Sequence, residues 1–484
     1  MKILRPAAVA TSAGLGLLLA GAIAAPAHAA GLPFTDAQKA YAYPSNATYD
    51  YIPIMDSFSD LVANRPDVIA SNDAQTIAIN NAASEEQRQR AIVDQYADMS
   101  VSMADGLGAR LGAIYEAALA ADELPKTEFL TTKSGGLIGY YSSTNPAKDH
   151  FDYDRPYLRI DQSQLVYRDR PGGDAWASTS GAFPSGHTSQ AYWQGTALAT
   201  MLPELAPQIL ARTSEAGDNR IVMGAHYALD VIGGRMMGQH IVERRWSDPE
   251  FRVLLEEAAV ELRTALEAGC GDALADCIAA DTPYLPTEDA LAVYRDRLDY
   301  DFAPIGATDE ALTLPANAES LLISSHPALT PEQRRQVLTL TAIGSGAPLD
   351  QGARGSWQRI DLAAAMAADV VVNPDGSVRL AGTPAPVDPA PVDPAPVDPA
   401  PVDPAPVDPA PVDPTAPGTG GGSDTGTVPA AGDGTEALDR TSTSTARELS
   451  ATGADAAQPA TAWALGLLLA GLIAVVAGRR LARR

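Results

Sequence analysis

Residues 184–201 read PSGHTSQAYWQGTALATM. The first four are a loop entering a helix: Ser185 is a capping residue, Gly186 lets the backbone approach a ligand, and a helix runs from near 185 to about 201. Outward from this stretch the same periodicity recurs. A second helix follows Pro203 to about 215, and a third covers about 220–245, with Gly217-Asp218-Asn219 as the turn that starts it and Arg220 at its mouth. Upstream, residues 85–121 carry Ala91, Tyr96, Met99, Met103, Leu107, Leu111, Tyr115 and Leu119 at the spacing of one helix face. Strand-like alternation is scarce, with 321–324 and 370–372 as the short candidates, so the fold expected is mainly α, a helical bundle. Thr330-Pro331-Glu332-Gln333 spells a capped helix start.

Three charged motifs lie along these helices. His226 and Asp230 are four residues apart, which on one helix face lets a carboxylate orient an imidazole and leave its other nitrogen free as a nucleophile. Pro184-Ser185-Gly186-His187 offers free N–H groups at a helix start, which bind anions, with His187 beside them as a proton donor. Lys148 and Arg155-Pro156 frame a charged loop. With Arg220 they make three cations suited to one phosphoryl group, because guanidinium donates bidentately and ammonium acts as a point charge.

In this order and with these spacings the motifs resemble the type 2 phosphatidic acid phosphatase superfamily, which includes bacterial class A non-specific acid phosphatases and vanadium haloperoxidases. The pattern is Lys, six residues, Arg-Pro; then Pro-Ser-Gly-His; then Ser-Arg, five residues, His, three residues, Asp. Every charged position is present here, and Asn219 stands where the pattern has Ser. The resemblance implies the acid phosphatase/vanadium haloperoxidase type of bundle over 30–280. It implies His226 as the nucleophile forming a phosphohistidine, Asp230 holding its ring and His187 protonating the leaving group. Lys148, Arg155, Arg220, Ser185 and Gly186 would hold the phosphate of a phosphate-ester substrate. No metal or cofactor is expected. Two alternatives remain: a vanadate-dependent haloperoxidase using the same pocket, and a catalytically inactive wall-anchored protein. His150, His240 and His326 fit no motif and are expected to be structural or at the surface.

The chain has 484 residues and a net charge of −26, which argues against a nucleic-acid partner. Residues 1–29 have a basic start, an apolar run and Ala27-His28-Ala29 before the cut, the features of a secretory signal. Cys270 and Cys277, the two cysteines of the chain, suit a small-loop disulfide outside the cell. Residues 281–381 form a C-terminal appendix of mixed structure packed on the catalytic region. In 382–448, six copies of Ala-Pro-Val-Asp-Pro precede a Gly/Ser/Thr-rich stretch that cannot bury a core. As an extended polyproline helix the repeats would reach about 90 Å, which suits a stalk. The tail, 449–484, joins Leu449-Ser450-Ala451-Thr452-Gly453, an apolar segment and four closing arginines. It resembles a Gram-positive cell-wall sorting signal, with Ser450 where that pattern has Pro, and implies sortase and cell-wall peptide as partners or a transmembrane anchor. The expected location is extracellular, on the wall or the membrane.

Overall fold

The computed structural model describes residues 31–41, 50–96, 98–133 and 136–382. The signal, the stalk and the sorting-type tail lie outside them. Helices dominate, and we label those that position the site: α1 (Ser57–Asn64), α2 (Pro66–Ala82), α3 (Glu85–Tyr96), α4 (Ala109–Ala120), α5 (Pro125–Thr131), α6 (Asn145–Phe151), α7 (Gly186–Met201), α8 (Ala206–Val222), α9 (Ala228–Ser247) and α10 (Pro249–Cys270). Among the described residues no helix is long and apolar enough to cross a membrane.

At the centre lie α7, α8 and α9, buried on nearly every face. Ser185 caps α7 by accepting from Thr188 N, as its position before the helical run predicts. Glycines let α9 approach α7: a Cβ on Gly234 would stand 2.7 Å from Ser185 O, closer than packed atoms allow. Several polar groups inside this trio are paired across helices. Arg212 of α8 grips Asp94 of α3 through two hydrogen bonds of 3.1 and 2.6 Å, and Gln194 of α7 donates to Thr131 O at 2.7 Å, as buried polar groups must.

Three expectations about local structure change. The 85–121 stretch is not one helix: α3 ends at Tyr96, and a short helix at Met99–Ser102 and a 3-10 turn at Ala104–Leu107 precede α4. The helix expected from 220 to 245 is two. Gly217, Asp218 and Asn219 lie inside α8, which ends at Val222. Tertiary partners hold them there: Asn219 Nδ2 donates to Asp94 Oδ2 at 2.8 Å and Gln87 Nε2 donates to Asp218 Oδ2 at 3.2 Å. Residues 318–322 form a 3-10 helix, not a strand; Leu321 and Leu322 are both wholly buried, which the alternating faces of a strand do not provide.

Beyond α10 the Cys270–Cys277 disulfide closes its small loop. Then come α11 (Thr287–Asp296), α12 (Pro331–Thr341) with its Thr330/Gln333 capping box, α13 (Leu362–Ala367) and an antiparallel pair, β1 (Val370–Val372) with β2 (Val378–Leu380), in the register Val370 to Leu380. One apolar core runs from Phe34 to Val378 and includes Tyr294, Phe302, Trp357 and Leu362. Arg235, buried in α9, donates to Leu298 O at 3.1 Å and Gln358 O at 3.0 Å, tying the C-terminal segment to the central trio.

Candidate active site

Four short segments meet at the start of α7: the end of α8 with the turn after it, the start of α9, α6 with the residues that follow it, and the loop 177–185. The turn 223–227 separates α8 from α9, with Gly224 at φ 66°, a conformation glycine adopts without strain. Its carbonyls are held from several sides. Asn80 of α2 and Arg168 donate to Val222 O at 2.9 and 3.0 Å, and Trp176 Nε1 donates to Met223 O at 2.9 Å. Asn72 of α2 accepts from Leu229 N at 3.1 Å, fixing the first turn of α9.

His226 therefore sits on this turn, just before α9, and not on a continuous helix. Asp230, in the first turn of α9, reaches back to it. Asp230 Oδ2 accepts from Tyr227 N at 2.9 Å and lies 3.0 Å from His226 Nδ1. On the other side of the ring, Arg155 Nη1 is 2.9 Å from His226 Nε2. A guanidinium can only donate, so Nε2 is the acceptor and the ring proton is on Nδ1, donated to Asp230. The imidazole is thus held neutral, in the tautomer a nucleophilic Nε2 needs.

The three cations have neutral partners. Arg155 donates to Ser180 O (3.0 Å), Ala225 O (3.1 Å) and the Ser178 and Ser180 hydroxyls (3.3 and 3.0 Å). Lys148 Nζ donates to Gly181 O and, at 3.4 Å, to Ala182 O. Arg220, in the last turn of α8, donates to the Gln95 side chain of α3. Among the described residues none of the three pairs with a carboxylate. Their mutual repulsion is only partly offset, by the Asp230 and Asp94 charges, and all three are buried. Burial and then the neighbouring Arg155 push the Lys148 ammonium down to about 7 and Arg220 down to about 9. Burial holds His226 well below the usual histidine range, with the Arg155, Lys148 and Arg220 charges adding to it. The Asp230 carboxyl is pushed up by burial to about 7, opposed by its Tyr227 hydrogen bond and by Lys148 and Arg155.

His187, in the first turn of α7, is half-buried and makes no side-chain hydrogen bond among the described residues. Burial lowers its pKa well below the ordinary value, and Arg220, Lys133, Arg155 and Lys148 lower it further. Ser185 Oγ is engaged in capping, accepting from Thr188 N at 3.3 Å and Thr188 Oγ1 at 2.8 Å; Ser185 N donates to Asp230 O at 3.0 Å, which locks the start of α7 to that of α9. Gly186 opens α7 beside Lys148. All eight residues singled out from the motifs therefore lie on these meeting segments. The remaining histidines lie elsewhere: His150 is exposed, His240 pairs with Glu243 at 2.9 Å, and His326 contacts Ala365 O at 2.8 Å. Gln95, Ser178, Ser180, Asn72 and Asn80 carry no motif signal, because their partners are 23 to 157 positions away along the chain.

Such a set of donors suits an anion with several oxygens. Residues 131–249 match the PAP2 superfamily model. The matched segment holds every motif residue. The acid phosphatase of Zymomonas mobilis subsp. mobilis is 34% identical over 125 residues, covering 26% of this chain and 46% of that protein. The non-specific acid phosphatase of Salmonella typhimurium is 30% identical over 125 residues, 26% of this chain and 48% of its own, and that of Providencia stuartii is 29% identical over 119 residues, 25% and 46%. The chain spans about half the length of these relatives.

Proposed function

We propose that this chain is a phosphomonoesterase, an acid phosphatase that works through a phosphohistidine on His226. The observation that carries the reading is the line Arg155, His226, Asp230, in which a neutral imidazole is clamped between a guanidinium on Nε2 and a carboxylate on Nδ1. A bound phosphoryl group would take over the Arg155 N–H and free the Nε2 lone pair. Nε2 then attacks phosphorus while the bond to the ester oxygen breaks, and the positive charge on the ring is stabilised by Asp230. His187 donates a proton to the leaving oxygen. Burial, and then the neighbouring cations, keep His187 deprotonated in the free protein; a bound dianion offsets the cationic share and favours the protonated acid. Water activated by His187 then cleaves the N–P bond and releases phosphate.

Lys148, Arg155, Arg220 and the Gly186 N–H are the donors that hold the charge growing on the equatorial oxygens. Three buried cations without a carboxylate partner also repel a divalent ion, which supports a metal-independent reaction. The signal-like leader and the sorting-type tail support an enzyme held outside the cell, on the wall or the membrane, acting on exposed phosphate esters. The test is His226→Ala: p-nitrophenyl phosphate hydrolysis is lost while the helical circular dichroism is kept, and full activity in that variant would sink the nucleophile. A bromination assay with vanadate and peroxide runs beside it, and activity there without phosphatase turnover would replace this reading with a haloperoxidase.

A further inference from the structure

Thr144 is the N-cap residue of α6, where a threonine hydroxyl ordinarily accepts from the first free N–H groups of its helix. Here it caps nothing. The residue is 3% exposed, yet its Oγ1 is neither hydrogen-bonded among the described residues nor sealed from solvent. Lys148 N donates to Thr144 O at 2.9 Å, so the two side chains leave the same face of α6, one turn apart. That face looks at Gly186. A Cβ built on Gly186 would come within 3.1 Å of Thr144 Oγ1 and 4.0 Å of Lys148 Cε. The space left by the missing side chain at 186 is thus bounded by a hydroxyl and by the stem of the lysine.

We propose that Thr144 is a further anion ligand of this pocket, its Oγ1–H donating to the phosphate oxygen that the Gly186 N–H and the Lys148 ammonium also hold. The ammonium is a compact point charge without fixed direction. A hydroxyl on the adjoining turn adds a directed donor, and it keeps that role when the ammonium has lost its proton. This rests on the pocket being a phosphate site, and the experiment separates the two.

Inorganic phosphate is titrated calorimetrically into the full chain and into Thr144→Val and Thr144→Ser, with p-nitrophenyl phosphate kinetics on each. In Thr144→Val, which keeps the shape and removes the hydroxyl, phosphate should bind about ten- to a hundredfold more weakly, the range for one hydrogen bond to a charged group, with kcat/KM falling in step and the melting temperature unchanged. Thr144→Ser, which restores the donor, should stay within about threefold of the parent. Thr144→Val binding phosphate like the parent overturns the inference; so does Thr144→Ser losing as much as Thr144→Val, because the methyl group would then be what matters. If Thr144→Val melts early, Thr144→Ala is read in its place. Failure of the parent chain to bind phosphate would instead sink the phosphate-site reading itself.

Discussion

Two groups of the pocket, Lys148 and Asp230, are brought to a pKa of about 7 by burial, and loss of the Lys148 charge is what weakens anion binding as pH rises. The Lys148 ammonium sits among Arg155 and Arg220 with only carbonyl partners, and burial brings its pKa to about 7. Below that value it is charged and contributes to anion binding; above it the charge, and its share of the binding, is lost. The free protein's kcat/KM for a phosphate monoester should therefore fall as pH rises through about 7. Lys148→Arg keeps a cation at all these pH values, so its falling limb should move to higher pH even where its maximum is lower. A limb unmoved in that variant would assign the titration to another group. At this same scale the motif residues were legible from sequence, because spacing and chemistry are local properties of the chain. What spacing does not contain is which oxygen or nitrogen touches which: the Arg155 contact that settles the His226 tautomer joins residues 71 positions apart.

Elements follow the chain's local chemistry where caps and periodicity agree, as in α7 behind Ser185 and α12 behind Thr330. They depart from it where tertiary partners intervene. Gly217-Asp218-Asn219 has the composition of a turn, yet Asp94 and Gln87 of α3 supply the hydrogen bonds that keep it helical, and the reversal comes at Gly224. That shift moves Arg220 from a helix start to a helix end and places His226 on a turn, held by Asp230 from the next helix. The close approach of α9 to α7 has a direct test. Gly234→Ala puts a methyl group 2.7 Å from Ser185 O, so the helices must part; we expect a loss of about 1–3 kcal/mol, the cost of overpacking, seen as a lower midpoint in urea. Activity should fall as well, because the Ser185 N to Asp230 O hydrogen bond spans the same contact.

For the whole molecule, the segment after the disulfide is continuous with the catalytic core, since Phe302, Leu321, Trp357 and Leu362 belong to the same apolar cluster as the central helices. Arg235 depends on it: its buried guanidinium donates from Nη1 and Nη2 to the carbonyls of Leu298, Trp357 and Gln358. A chain ending at residue 280 should then expose that core and orphan Arg235, a combination that costs more than a domain's usual margin of stability. The expected outcome is an insoluble product or one without a cooperative melt, and a truncated chain melting like the parent would show that the segment is dispensable. The amino-acid sequence by itself determined the helical class, the cap positions, the disulfide and the identity of the charged groups, all of which depend on neighbours within a few residues. Only the tertiary structure decided where α8 ends, which proton His226 carries, that Thr144 turns its hydroxyl toward Gly186, and that residues 281–381 share one core with the site. Those outcomes depend on burial and on partners far along the chain, and desolvation acts only once the helices have packed.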